Sequence, residues 1–151
     1  MNRSRFIVLL TAVLALAAVI FTSCAPAKEA FDADKVLERL LTEVAYGDEL
    51  EDSAAYSDFL LGELPEGTEV KLYTASGMHA DTVMRFLAAD ESDKPAIRSV
   101  IDGYISSLSA DVMKYDANEL PKLQNAVVYE NGLYIFVCIT DDTAAAKAIL
   151  H

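Results

Sequence analysis

The sequence predicts an α+β domain: one four-stranded, largely antiparallel sheet with helices packed against it. Three observations carry this reading. Residues 68–75 alternate, with Val70 and Leu72 set against Glu69, Lys71 and Tyr73, as a half-buried strand does. Asn131-Gly132 separates two apolar runs, 125–129 and 133–140, a strong hairpin signal because both residue types accept the positive φ of a tight turn. Ile97, Val100, Ile101, Tyr104, Ile105, Leu108 and Val112 recur at helical spacing.

The elements follow in order. Asp32 or Asp34 caps a helix running to about Tyr46, with Val36, Leu37, Leu40 and Val44 on one stripe, and Gly47 stops it. Asp48, Glu49, Glu51 and Asp52 read as an acidic turn. Residues 53–61 read as a shorter helix with Tyr56, Phe59 and Leu60 apolar, ended by Gly62, and Pro65-Glu66-Gly67 is a turn. The strand at 68–75 leads through Ser76-Gly77-Met78-His79 into a second strand at about 83–89. Ser92 or Asp93 caps the longest helix, to Tyr115, with Pro95 in its first turn, where a missing N–H does no harm. The hairpin pairs Tyr129 with Tyr134 and Val127 with Phe136. Asp141 or Asp142 then caps a last helix through Leu150.

The order after residue 67 is ββαββα, following an N-terminal helical segment. Phe86-Leu87-Ala88-Ala89-Asp90 and Phe136-Val137-Cys138-Ile139-Thr140 stand fifty residues apart, which suggests either a duplicated ββα unit or a coincidence of composition.

Residues 1–23 read differently. Arg3 and Arg5 form a positive start, 6–21 is an apolar run interrupted in polarity by Thr11, and Thr22-Ser23-Cys24 follows. This is the layout of a secretory signal, and the small residues before Cys24 resemble a bacterial lipobox. Such a signal implies cleavage before Cys24 and lipidation of its thiol with palmitate-type chains. The expected location is then extracytoplasmic, on the outer face of the cytoplasmic membrane of a Gram-positive type of cell. Phe21 stands where lipoboxes usually carry an aliphatic residue. Ala25-Pro26-Ala27 offers an alternative site for ordinary signal peptidase, and an uncut run would be near the lower length limit for a membrane span. The expected organisation is a signal at 1–23, a lipidated tether at 24–30 and a single domain at 31–151.

Charge narrows the function classes. The chain carries a formal −12, and the part after residue 23 stands at −14, because residues 1–23 hold two arginines and no acid. Such acidity argues against nucleic-acid binding, which needs a cationic footprint, and against docking on anionic lipid by charge. With Cys24 acylated, Cys138 has no partner. It lies mid-run in 133–139 and reads as a small buried hydrophobe.

Chemistry is sparse in the pattern. His79 and His151 are the two histidines, and no Cys-x-x-Cys or paired-histidine metal spacing occurs. Met78-His79 has ligand types suited to copper, and Ser76, His79 and Asp81 are close enough in sequence to suggest a nucleophile, base and orienting acid. The competing reading of both is an exposed turn. The acid-rich turns lack the glycine-centred calcium loop and suit helix caps. No catalytic residue, metal or cofactor is assigned on this basis.

The stretch Lys114-Tyr115-Asp116-Ala117-Asn118-Glu119-Leu120-Pro121-Lys122-Leu123-Gln124-Asn125-Ala126-Val127-Val128, with Asn131-Gly132-Leu133-Tyr134, resembles a known family. So does Tyr73-Thr74-Ala75-Ser76-Gly77 ahead of Phe86-Leu87-Ala88-Ala89-Asp90. Together with the lipobox these are similar to small Firmicutes lipoproteins catalogued as domain of unknown function 4358. The resemblance covers about residues 31–150. Ala117 stands where the family often has proline. The resemblance implies an address and a fold class and transfers no site residue, because the family has no established activity.

The expected function is therefore a non-enzymatic binding or accessory lipoprotein of the envelope, with a small envelope hydrolase or ligand-binding protein as the alternative. The expected partner surface is a partly open sheet face near Tyr73, Arg85 and Leu87. The last strand is apolar on both sides, and the alternative expectation is that the N-terminal helices close that face.

Overall fold

The computed structural model describes residues 31–151. The expected signal segment, Cys24 and the tether lie outside the described residues. The architecture is α+β, as the pattern predicts, with a five-stranded, wholly antiparallel sheet in the order β1-β2-β3-β5-β4.

Helix α1 spans Ala33–Glu43, and its N-cap Asp32 accepts the Lys35 amide at 3.0 Å. Such a cap contributes about 1 kcal/mol. Strand β1 (Leu50–Asp52) pairs with β2 (Glu69–Ala75). The four-strand expectation is corrected here: the supposed acidic turn is a three-residue edge strand. Its exposed Glu51 and Asp52 are the charges that blunt a sheet edge, and they hide it from a search for apolar alternation.

The supposed helix at 53–61 is a 3-10 turn, Ala54–Tyr56, followed by the short α2 (Ser57–Leu61). Strand β3 (Thr82–Leu87) follows β2. Then comes α3 (Lys94–Tyr115), led by a 3-10 turn at Glu91–Asp93 whose cap is Asp90. A 3-10 turn (Ala117–Glu119) and α4 (Leu120–Gln124) precede the β4 (Val127–Asn131) and β5 (Tyr134–Ile139) hairpin. Helix α5 (Thr143–Leu150) is capped by Asp142, which accepts the Ala145 amide.

The hairpin register differs from expectation by two positions. Tyr129 pairs with Phe136 and Val127 with Cys138. Gly132, at φ 54°, is the positive-φ residue of the turn; Asn131 remains in the strand opposite Tyr134. The two-residue loop is thus Gly132-Leu133, with glycine first. A shift of two preserves the side-chain alternation, so every residue keeps its expected face.

Helices cover both faces. On one, Leu72, Met84, Phe86, Ile135, Val137 and Ile139 pack with Ile97, Ile101 and Tyr104 of α3 and Leu123 of α4. On the other, Val83, Val127, Phe136 and Cys138 pack with Leu37 and Leu40 of α1 and Ala146 and Leu150 of α5. Full burial of a side chain such as Leu40 or Phe86 contributes about 1.5–3 kcal/mol. β3 and β5 are interior strands buried on both faces because both faces are covered; β5 is apolar on both, and β3 carries the buried Thr82 and Arg85.

The expected open face is therefore closed. Arg85 is 6% exposed, pairs with Asp34 of α1 and lies over the Tyr134 ring at 5.7 Å. Duplication finds no support either: Phe86 and Phe136 occupy opposite cores, and α3 and α5 cover opposite faces. Adjacent antiparallel copies related by a simple two-fold axis would keep such residues on one face. Among the described residues, no helix is long and apolar enough to cross a membrane.

Candidate functional site

A charged cluster sits at the end of the sheet where β2 turns into β3. Glu119 and Lys122 are three positions apart on the helical segment after α3, so both side chains reach the same side. Lys122 Nζ lies 2.8 Å from Asp81 Oδ2, 2.9 Å from Glu119 Oε2 and 3.6 Å from Asp141 Oδ2. Its side chain is 3% exposed and that of Asp81 is 0% exposed. A buried ammonium is tolerable only when several acceptors replace its water, and here they do.

Backbone groups complete the network. The Ala80 amide donates to Glu119 Oε2 at 2.7 Å and the Gly47 amide to Asp81 Oδ2 at 3.2 Å. Gly47 approaches so closely that a Cβ there would fall 2.9 Å from Asp81 Oδ2 and 3.2 Å from both His79 Nδ1 and Lys122 Nζ. Helix α1 ends at Glu43 with Val44 as its C-cap, so Gly47 does not stop it as expected; the glycine is instead a packing requirement of the cluster.

The electrostatics follow from these contacts. Burial pushes Glu119 up, but the Ala80 amide, the Lys122 ammonium and His79 outweigh it and hold the carboxyl below its ordinary range. Burial pulls Lys122 down, and its hydrogen bonds and attraction to Asp81 and Glu119 carry it above its ordinary value. Asp81 Oδ1 is buried without a hydrogen-bond partner. A desolvated, unpaired carboxylate oxygen is costly.

His79 joins the cluster to solvent. Its Nδ1 lies 3.7 Å from Glu119 Oε1, and its side chain is 41% exposed. One ligand atom from each of His79, Asp81 and Glu119 lies within 4.8 Å of the others, an arrangement able to hold a metal ion. His79 also lines an open groove of about 350 Å³ with Gly77, Met78, Leu108, Asp111, Val112 and Tyr115. A neighbouring groove between α2 and α3 shares Leu108 and Asp111 and is lined by Phe59, Leu60, Tyr104 and Ser107. Phe59 is 88% exposed and Tyr115 72% exposed. A larger depression beside Ser57, Glu63, Leu64 and Thr68 contains none of the clustered charges.

The residues singled out from sequence scatter. Ser76 Oγ donates to Asp48 Oδ2 at 2.6 Å, Asp81 is bound by Lys122, and the charged contact of His79 is to Glu119. The nucleophile–base–acid arrangement is not assembled by these contacts. Tyr73 is partly buried and packs against the core that α1 and α5 cover, Arg85 is buried, and Leu87 is partly exposed, so the three do not form one open surface. Cys138 is fully buried as expected, and burial pushes its thiol up to about 11. Tyr46 shares that pocket, its hydroxyl donating to the Leu40 carbonyl at 2.8 Å and lying 3.5 Å from Cys138 Sγ.

Gly47, Glu119 and Lys122 were missed as site residues. An i, i+3 acid–base pair on a short polar segment was the available signal for the last two, and it is a common surface pattern. Contact with Asp81, about forty residues away in the chain, is what distinguishes it.

Residues 67–140 match the family model described as a domain of unknown function, DUF4358. Comparisons with curated proteins and with solved structures give no match.

Proposed function

We propose that this chain, which belongs through residues 67–140 to the family described as domain of unknown function 4358, is an extracytoplasmic lipoprotein. Lipid on Cys24 holds it at the outer face of the cytoplasmic membrane, and the domain is a non-enzymatic docking module for a neighbouring envelope protein. The anchor rests on the order of Arg3 and Arg5, the apolar run and Thr22-Ser23-Cys24.

The observation that carries the docking role is a pair of adjoining open grooves edged by exposed apolar side chains. Asp34 pairs with Arg85 at the start of α1, while Ala45 accepts from Thr140 and Gly47 donates to Asp81 past its end. Helix α1 therefore runs from the pole of the Gly132 turn toward the charged cluster. Lys94 at the start of α3 bonds the Gly132 carbonyl, so α3 likewise runs from that pole to Tyr115. Met78 and Tyr115 line the groove beside the cluster, Phe59 lines the neighbouring one, and all three are exposed.

Asp111 lines both grooves and is bonded by Lys114, and Asp58 and Asp116 adjoin Phe59 and Tyr115 in the chain. The occupant that fits is an apolar segment carrying basic residues. This reading puts the partner surface at Phe59, Met78 and Tyr115 in place of Tyr73, Arg85 and Leu87, because Arg85 is buried and paired with Asp34.

Labelling cells with a clickable palmitate analogue tests the anchor: label retained by Cys24→Ser would refute it. A photo-crosslinking residue at position 115 should give a discrete adduct at a basic segment of an envelope protein, and one at position 35 should not. Equal adducts, or none, would end the docking reading.

A further inference from the structure

The Lys122 network leaves two features unexplained. Asp81 is wholly buried, yet Oδ1 has no donor, while Oδ2 takes both Lys122 and the Gly47 amide. Glu119 divides its oxygens similarly: Oε2 takes Lys122 and Ala80, and Oε1 faces His79 Nδ1 at 3.7 Å. A fully satisfied salt-bridge network would leave no buried carboxylate oxygen unmatched.

We propose that His79, Asp81 and Glu119 bind one divalent transition-metal ion, of the zinc or manganese class, with Lys122 as a positioning residue. An imidazole and two carboxylates suit such ions. Calcium wants six or more oxygens, more than this set supplies. The three ligand atoms already lie within 4.8 Å of one another. Zinc–ligand bonds of roughly 2.0–2.2 Å draw them closer. His79, partly exposed at the groove, is the side chain free to move in.

Lys122 holds Oδ2 and Oε2, which leaves Oδ1 of Asp81 and Oε1 of Glu119 without that cation; hydrogen-bonded outer groups of this kind orient metal ligands. The two acids and the ammonium together carry one negative charge, so a divalent ion leaves a net charge of +1. Asp141, 3.6 Å from Lys122, offsets that remainder. The bound metal would give Asp81 Oδ1 the partner it lacks. Ion binding is read on the purified chain, whether or not a partner docks in the groove that His79 lines.

The test is calorimetric titration of tag-free full chain in detergent with zinc or manganese chloride, alongside thermal unfolding. Binding of one ion per chain, a rise in Tm reversed by EDTA, and at least tenfold weaker binding in His79→Ala are expected. His151→Ala, at the C-terminal residue, should bind as the parent does. Glu119→Gln should bind more weakly even where its own Tm is lower, since affinity is measured on the folded fraction. No saturable binding of either ion, or equal affinity in parent and His79→Ala, would overturn the site.

Discussion

Replacing Lys122 by methionine keeps the length of the side chain and removes its charge. Asp81, at 0% side-chain exposure, then loses the cation 2.8 Å from Oδ2, and Glu119, at 10%, loses the one 2.9 Å from Oε2. Breaking a buried pair from one side typically costs about 3–5 kcal/mol, because the abandoned charge stays desolvated. An unfolding entropy near 2.1 cal/mol/K per residue, over this domain, converts that to a Tm lower by roughly 12–20 °C.

The loss should depend on pH. Glu119 is held below its ordinary value in the fold, so its contribution is present above about pH 4.5 and disappears as pH falls through the lowered folded value. The Lys122→Met deficit should therefore be full near neutrality and shrink in acid. Adding Asp81→Asn should recover part of it, since a neutral amide is less costly to bury. Circular dichroism melts and urea titrations between pH 3 and 7 measure all three effects. A deficit below about 1 kcal/mol, or one unchanged across that range, would show that the network behaves as a solvated surface pair.

Two further outcomes follow from single positions. In a Cys24→Ser background, Cys138 should react slowly with a polar disulfide reagent at pH 8 and rapidly in denaturant, because its thiol is buried and raised to about 11; fast native modification would contradict its placement. Gly132→Ala should destabilise by about 1–2 kcal/mol from the positive φ of 54°, while Asn131→Ala should cost less, because Asn131 sits in the strand rather than at a positive-φ position. Chemical denaturation of the pair checks the two-position register shift.

The sequence by itself determined the α+β class and the faces of the strands. These are local properties: alternation in 68–75, helical spacing from Ile97 to Val112 and a glycine-containing turn each appear within a short window. Face survived the register error because side chains alternate with period two and the shift was two. The charged edge strand was invisible because Glu51 and Asp52 look the same in a turn and on a sheet edge.

Tertiary structure alone decided which helices cover which face, and it thereby buried Arg85 and moved the available surface to Phe59, Met78 and Tyr115. It also assembled the charged cluster. Gly47, His79, Asp81, Glu119 and Lys122 come from three separate segments, each unremarkable in its own window. Their meaning arises from burial: the same lysine and carboxylates in water would interact weakly, but the closed fold removes the solvent that would compete for them.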